Sequence, residues 1–141
     1  MEYKVGPGYS FSKKVSFSVA QLQKMATDCG DMNFLHHDIE RAKKTRFKGI
    51  IASGSAISAM FSAMIPNHFS ESTSILGLEM SFKFPAPIKA DTEITMEWQV
   101  KEATETHDSK NCIVHLIGKI TDTDNRVLVS SEAKILLLPS L

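Results

Sequence analysis

The sequence has no excess of charge of either sign. Its 141 residues include 16 basic and 16 acidic side chains, and the pI is near 7.0. A nucleic acid or an anionic membrane surface is usually bound through a strong basic field. We therefore expect neither partner, although a local cluster of cations for a phosphorylated ligand is compatible with zero net charge.

Cysteine is also scarce, since only Cys29 and Cys112 occur, far apart in the chain. Neither lies in a pair with metal-ligand spacing, and two such cysteines are typical of reduced, mostly buried thiols in a cytoplasmic protein. His68, His107 and His115 have no carboxylate or cysteine partner at ligand spacing. We predict neither a metal ion nor a cofactor.

Long hydrophobic runs are missing too. The longest apolar stretches are too short to span a bilayer, and residues 1–4 open no apolar run of the secretory type. Internal repeats, low-complexity tracts and linkers are absent. We therefore expect one cytoplasmic domain, 1–141, which is long enough to bury a core without disulfides.

The period of the apolar residues in the first half predicts one strand over 9–17 and helices over 19–29, 39–46 and 54–65. Ser18 suits the N-cap of the first helix, Gly30 its end, and Asp38 the N-cap of the second. The third helix contains no charged residue, which is typical of a buried helix. We expect Pro66 to end it.

The second half predicts four strands, over 75–84, 92–100, 111–121 and 126–138, because apolar and polar residues alternate there. The turns 107–111 and 121–125 suit hairpins. One strand and helices followed by four strands predict an α+β domain, with a curved antiparallel five-stranded sheet wrapped around one long buried helix. The stripe of Leu78, Met80, Phe82 and Phe84 is expected to lie mostly in the core.

The segment 31–38, Asp-Met-Asn-Phe-Leu-His-His-Asp, places a carboxylate and an imidazole five residues apart. In a helix, five residues rotate by about 500°, which would separate the two side chains, whereas a turn can bring them together. A carboxylate and an imidazole that converge can position and activate water for proton transfer. The alternative is that Asp31 caps a helix and His36 is a satisfied core histidine.

Three further residues, one of them about twenty positions along the chain, bear on this candidate site. Gly54 opens the uncharged helix, where free backbone N–H groups can bind an anionic oxygen; alternatively, it only permits close packing. Asn33 is predicted to support the turn through side-chain-to-backbone hydrogen bonds. His37 points away from His36 in this interpretation and is expected to be exposed.

Taken together, these motifs resemble the MaoC-like (R)-specific enoyl-CoA hydratases over nearly the whole chain. The resemblance rests on the polar segment 31–38, on Gly54 before the buried helix, and on the segment 78–87, Leu-Glu-Met-Ser-Phe-Lys-Phe-Pro-Ala-Pro. It implies the hotdog fold and a homodimer whose two sheets join edge to edge. The family usually has Pro where Phe34 stands and often His where Ser53 stands, so substrate range and rate are open.

The resemblance implies a hydro-lyase of fatty acid metabolism that acts on an acyl thioester of coenzyme A or acyl carrier protein. Asp31 and His36 are implied to hold a water molecule, with Asp31 as the base and His36 as the proton donor at C2, although the assignment of steps stays open. The Gly54 N–H is implied to bind the thioester oxygen. Further candidate binding residues are Ser62, whose hydroxyl can alternatively bond back to the preceding turn, Asn33 and Ser53. The resemblance also implies that one face of a stripe such as 78–84 lines the acyl tunnel, so this alternative to core packing stays open for some of its residues.

Other functions stay open beside (R)-specific hydration of trans-2-enoyl thioesters. They are an acyl-carrier-protein 3-hydroxyacyl dehydratase with the same chemistry, a hotdog thioesterase, and a non-catalytic acyl-binding partner subunit. Thioesterases of this fold lack the hydratase motif, and the intact Asp31 and His36 pair argues against an inactive subunit. Arg46, Lys83 and Lys89 are candidates to meet phosphates, although scattered cations are usually solvated surface.

Overall fold

The computed structural model describes residues 5–69, 74–105 and 111–138. They form one five-stranded sheet in the order β1-β3-β4-β5-β2, and each neighbouring pair is antiparallel. The strands are β1 Ser10–Val15, β2 Ser74–Lys83, β3 Ile94–Glu105, β4 Cys112–Thr121 and β5 Val127–Leu138, and the helices are α1 Val19–Cys29, α2 Ile39–Lys43 and α3 Gly54–Phe69. The predicted α+β architecture is confirmed.

Helix α3 packs against the sheet through apolar side chains, as its uncharged sequence predicts. The buried residues of α3 are Ala56, Ile57, Phe61, Ile65 and Phe69. The Phe61 ring stacks on Trp98 of β3 with centroids 4.4 Å apart, and Trp98 Nε1 donates to the Phe61 carbonyl at 2.9 Å. This contact fixes α3 against the sheet and thereby sets the position of the helix N-terminus.

Two helix ends differ from the prediction. Helix α3 continues through Pro66 to Phe69, so the expectation that Pro66 ends it was wrong. A proline in the last turn removes one intrahelical hydrogen bond. Phe69 is buried and packs edge-to-face on Phe11 of β1, with the ring centroids 5.7 Å apart. Helix α2 ends at Lys43 instead of 46, because the Lys44 and Thr45 N–H groups bond to carbonyls three residues back, in the pattern of a turn.

Strand β2 is an edge strand and pairs only with β5 among the described strands. Leu76, Leu78 and Met80 are 53%, 47% and 39% exposed, and Phe84 beyond the strand is 50% exposed. The expected core stripe was therefore wrong for Leu78, Met80 and Phe84. A strand inside a sheet would bury one face, whereas an edge strand leaves apolar side chains open to another partner.

Several local features can be compared with their predictions. In the turn at 121–125 the Asn125 N–H donates to the Asp122 carbonyl at 3.1 Å, which confirms the hairpin turn. Most of the other predicted turn, 107–111, lies outside the described residues. Both cysteines are free; Cys29 is exposed and Cys112 half-buried, so the predicted burial of Cys29 was wrong. No helix in the described ranges is long and apolar enough to cross a membrane.

Candidate active site

The candidate site is built on the turn between α1 and α2. Gly30 ends α1 with a φ of 81°, and its N–H bonds to carbonyls of the last helical turn. Asn33 Oδ1 then accepts the Leu35 N–H at 3.1 Å and caps a short 3₁₀ helix, Phe34–His36. The predicted roles of Gly30 as the helix end and of Asn33 in the turn are both confirmed.

This turn brings Asp31 and His36 together. Asp31 Oδ2 lies 3.3 Å from His36 Nε2, and the two side chains are 25% and 7% exposed. The geometric prediction that a turn unites them is therefore confirmed, while their catalytic use stays a prediction. A carboxylate and an imidazole at this distance can share a proton or hold one water molecule between them.

The main chain fixes the tautomer of His36. His36 Nδ1 lies 2.8 Å from the Ile51 carbonyl oxygen. Since a carbonyl only accepts hydrogen bonds, Nδ1 carries a hydrogen, and in the neutral ring Nε2 is then an acceptor. His36 therefore presents a lone pair toward Asp31 when neutral and an N–H when protonated. No residue pattern could have predicted this partner, because every residue type has a backbone carbonyl.

Ser53 is the second partner of Asp31. Its side chain is buried, and its Oγ donates to Asp31 Oδ2 at 2.6 Å. The same Oγ accepts the Ala56 N–H at 3.2 Å, which is the hydrogen bond of an N-cap at the start of α3. Ser53 was expected near the substrate, whereas in this structure its hydroxyl contacts the carboxylate. A serine directly before Gly54 was the available sequence signal for such a cap.

The pKa of the Asp31 carboxyl lies below its ordinary value of 3.8. The hydrogen bond from Ser53 is the main cause, partial burial opposes it, and the Asn33 N–H, at 3.2 Å from Oδ1, lowers the pKa further, as do the charges of His36 and His37. Hydrogen bonds and positive charges favour the ionised form of a carboxyl group. Asp31 is accordingly a carboxylate at neutral pH.

His37 supports the turn from the other side. It is half-buried, so the expected exposure was wrong, and its Nε2 donates to the Asp31 carbonyl at 2.7 Å. Gln23 of α1 donates to the His37 carbonyl at 2.9 Å. The backbone of the turn is therefore tied both to its own side chains and to the preceding helix.

A cavity of about 310 Å³ opens beside this pair, and His36 and Gly54 both contribute to its wall. Most of the remaining wall is apolar, and Arg46 contributes a cation. A larger hollow of about 450 Å³ over β2, β4 and β5 is lined by charged groups such as Glu79 and Lys134, which form an ion pair at 3.0 Å. The smaller cavity is the candidate site, because it adjoins the Asp31 and His36 pair.

Gly54 and Ser62 occupy different parts of α3. Gly54 is its first residue, so its N–H has no acceptor inside the helix. A Cβ at this position would lie 3.3 Å from the Phe84 ring, so Gly54 also permits close packing. Ser62 lies about 12 Å further along the helix, and its hydroxyl donates back to the Ala59 carbonyl at 2.9 Å. Its place in the site stays a prediction.

The described residues contain no group of three histidine, cysteine or acidic side chains that could hold a metal ion.

The family model described as a MaoC like domain matches residues 2–121. The chain belongs to the MaoC-like family. No curated protein matches the sequence of this MaoC-like chain significantly.

Solved structures similar to this MaoC-like protein include two (R)-hydratases. The enzyme from A. caviae involved in PHA biosynthesis is 23% identical, with a TM-score of 0.80 over 95% of this chain and 98% of that chain. PhaJ1 from Pseudomonas aeruginosa is 25% identical, with a TM-score of 0.77 over 99% and 84%. The HadBC complex, a (3R)-hydroxyacyl-ACP dehydratase from Mycobacterium tuberculosis, is 13% identical, with a TM-score of 0.75 over 92% and 96%.

These similarities confirm the predicted hotdog fold, and the family match confirms the predicted family. Membership of the MaoC-like family and the hydratase neighbours support a hydratase or dehydratase, that is, a hydro-lyase. The acyl group, its carrier and the residues that act on it belong to the proposal that follows.

Proposed function

We propose that this protein catalyses the (R)-specific addition of water to trans-2-enoyl thioesters, or the reverse dehydration of (R)-3-hydroxyacyl thioesters. The observation that carries the proposal is the Asp31 and His36 pair, 3.3 Å apart, beside a cavity that the first residue of α3 also lines. Hydration of a conjugated thioester needs three things: an activated water at C3, a proton at C2, and stabilisation of the negative charge on the thioester oxygen. The site offers a group for each.

The water is held by two acceptors. Because the Ile51 carbonyl keeps the hydrogen of neutral His36 on Nδ1, Nε2 presents a lone pair next to the Asp31 carboxylate. A water molecule can donate one hydrogen to each acceptor, which leaves its oxygen lone pairs free to attack C3.

The proton steps then fall to His36. The lowered pKa of Asp31 makes its carboxylate a weak base, whereas its negative charge stabilises an imidazolium next to it. His36 Nε2 takes one proton from the attacking water, the hydroxyl group bonds to C3, and the same nitrogen returns the proton to C2. This proposal reverses the expectation that Asp31 takes the proton, and it leaves Asp31 to orient the water and stabilise the cation.

The thioester oxygen is assigned to the Gly54 N–H. The first N–H groups of a helix are free and carry the positive end of the helix dipole. Such a donor stabilises the enolate-like charge that develops when water adds to C3, and loss of one oxyanion donor typically costs about 10²–10³ in rate.

A spectrophotometric assay of crotonyl-CoA and longer enoyl-CoAs tests the proposal by following loss of the conjugated thioester band. We expect turnover by the wild type and losses of about 10²–10⁴ in kcat for Asp31→Asn and His36→Ala. Asp28→Asn and His115→Ala serve as matched controls, because Asp28 is an exposed carboxylate on α1 and His115 lines the other hollow. A wild type that is inactive with every CoA-linked or carrier-linked enoyl thioester would refute the hydratase proposal.

An acyl-carrier-protein dehydratase is the second candidate function, and the positive charge near the cavity supports it. The segment 41–48 carries five of the chain's cations, and Arg46 lines the cavity. This local positive charge suits either the phosphates of coenzyme A or an acidic carrier protein with its phosphopantetheine group. The ratio of kcat/KM for crotonyl-CoA and for crotonyl–acyl carrier protein distinguishes the two.

A homodimer is part of the proposal. Leu76, Leu78 and Met80 expose apolar surface on the β2 edge, and an unpaired edge strand also presents free backbone N–H and carbonyl groups. A second copy of the chain paired along this edge would satisfy the backbone groups and cover the apolar side chains.

A further inference from the structure

Ser53 connects helix α3 with the acid–base pair, because a single hydroxyl group contacts both. Ser53 Oγ accepts the Ala56 N–H at 3.2 Å and donates to Asp31 Oδ2 at 2.6 Å. A serine hydroxyl has one hydrogen. Since an ionised carboxylate can only accept hydrogen bonds, the hydroxyl hydrogen points at Asp31 Oδ2, while a lone pair of the same oxygen accepts the Ala56 N–H.

The contact also selects one oxygen of Asp31. Oδ2, which accepts from Ser53, is the oxygen that faces His36 Nε2 at 3.3 Å. The other oxygen, Oδ1, accepts the Asn33 N–H at 3.2 Å. The two fixed donors hold the carboxylate in one rotation about its bond to Cβ, with Oδ2 directed at the imidazole.

Ser53 is not placed to bind the substrate itself. Its side chain is only 1% exposed, and its hydroxyl hydrogen is already used by Asp31. Any effect of Ser53 on the reaction must therefore pass through the carboxylate or through the start of α3.

We propose that Ser53 is a positioning residue, which fixes Asp31 in the orientation that serves His36 and does so from the N-terminus of α3. This inference rests on the proposed hydratase function. Ser53 directly precedes Gly54, so one peptide unit links the residue that positions Asp31 to the N–H assigned to the thioester oxygen. The distance between Asp31 and the Gly54 N–H is then set by the N-terminus of α3.

The electrostatics of Asp31 agree with this role. The hydrogen bond from Ser53 is the main cause of the lowered pKa of the Asp31 carboxyl, so loss of the hydroxyl should raise that pKa. The other groups around the carboxyl are on its own turn and on α1: the Asn33 N–H, His36, His37, and Cys29, whose Sγ is 3.9 Å from Ser53 Oγ.

Two measurements on Ser53→Ala and Ser53→Thr test the proposal. The first is kcat and KM for crotonyl-CoA, and the second is the titration midpoint of the Asp31 carboxyl by ¹³C NMR without substrate. We expect Ser53→Ala to lower kcat by about 10²-fold, as small misplacements of catalytic groups do, with little change in KM and a higher midpoint. Ser53→Thr keeps the hydroxyl and should restore most of the kcat and the midpoint.

Ser18→Ala is the matched control for loss of a helix cap. Ser18 Oγ accepts the Gln21 N–H at the start of α1, so this variant also loses a cap, but it leaves Asp31 untouched. We expect Ser18→Ala to lower the melting temperature while kcat and the Asp31 midpoint stay at the wild-type values. If Ser53→Ala fails to fold, Ser53→Cys keeps nearly the same volume with a weaker donor and should shift both readouts in the same direction.

Wild-type kcat and an unshifted Asp31 midpoint in Ser53→Ala would overturn the proposal. So would equal losses of kcat in Ser53→Ala and Ser18→Ala, because the serine would then act only as a cap. Since the NMR titration needs no substrate, an inactive wild type whose Asp31 midpoint still responds to Ser53→Ala would refute the hydratase function while supporting the contact between Ser53 and Asp31.

Discussion

At the scale of single residues, the sequence shows which side chains can act in the site but not which groups they bond to. Asp31 and His36 were predictable as a pair, because a carboxylate and an imidazole stand out in a segment whose sequence does not predict a regular α-helix. The partners that orient them were not. The Ile51 carbonyl that holds His36 Nδ1 has no residue signature, and Ser53 is a common residue type whose contact with Asp31 depends on how α1 and α3 meet.

The lowered pKa of Asp31 predicts a pH dependence of stability. A carboxyl whose pKa is lower in the folded than in the unfolded state stabilises the fold above its unfolded pKa, and this contribution is lost as the pH falls through the folded pKa. The difference in free energy of unfolding between wild type and Asp31→Asn should therefore be constant near neutral pH and should change in favour of the variant as the pH falls below about 3.8.

Urea unfolding at a series of pH values measures this difference. Because the Asp31 side chain is partly exposed, the change is expected to be modest. A difference that stays constant from pH 7 down to the acid limit of folding would contradict the assigned hydrogen bonds.

At the scale of secondary-structure elements, local patterns predicted the helices and strands, and long-range contacts decided the departures. Alternation cannot reveal that β2 lies at the edge of the sheet, because strand order is set by pairing between distant segments. The absence of charge in α3 correctly predicted its burial, but Pro66 alone could not show that Phe69 packs against Phe11 and keeps the last turn helical.

The packing of α3 on the sheet gives a prediction for Gly118 of β4. A Cβ at this position would lie 2.6 Å from the Trp98 ring and 2.8 Å from Phe61, and both rings are fully buried. Gly118→Ala should therefore lower the free energy of unfolding by about 1–3 kcal/mol through overpacking. Urea denaturation measures the loss.

Gly6, which precedes β1, supplies the control for this substitution, because a Cβ there would meet nothing within 4 Å. Gly6→Ala should change the stability by less than about 0.5 kcal/mol, as substitutions away from packed features usually do. Equal effects of the two substitutions would show that the Trp98 and Phe61 contact does not limit the packing.

At the scale of the whole molecule, zero net charge conceals an uneven surface. Cations concentrate in 41–48, where Arg46 lines the cavity, and apolar side chains concentrate on the β2 edge. Composition alone predicted neither location, since both depend on where the fold places a segment. The first suits an anionic carrier and the second suits a second copy of the chain.

The dimer proposal predicts a molar mass in solution near twice 15.6 kDa, which light scattering after size exclusion measures. Leu78→Lys should shift the protein toward the monomer, because it places a charge in the apolar edge. Ile117→Lys is the matched control, since Ile117 is 40% exposed but lies on β4 inside the sheet. A monomeric wild type, or equal dissociation by both substitutions, would contradict pairing through β2.

The hydrogen bond from His36 to the Ile51 carbonyl has a consequence for how the chain can vary. The orientation of the imidazole depends on the main chain at position 51 and not on the side chain there. Ile51 is buried, and its N–H is also bonded, to the Leu35 carbonyl at 3.1 Å. Any apolar residue that fills the same space can therefore replace it without turning His36, whereas proline, which has no N–H, would release the segment. The most constrained feature at this position is thus one that a comparison of side chains would overlook.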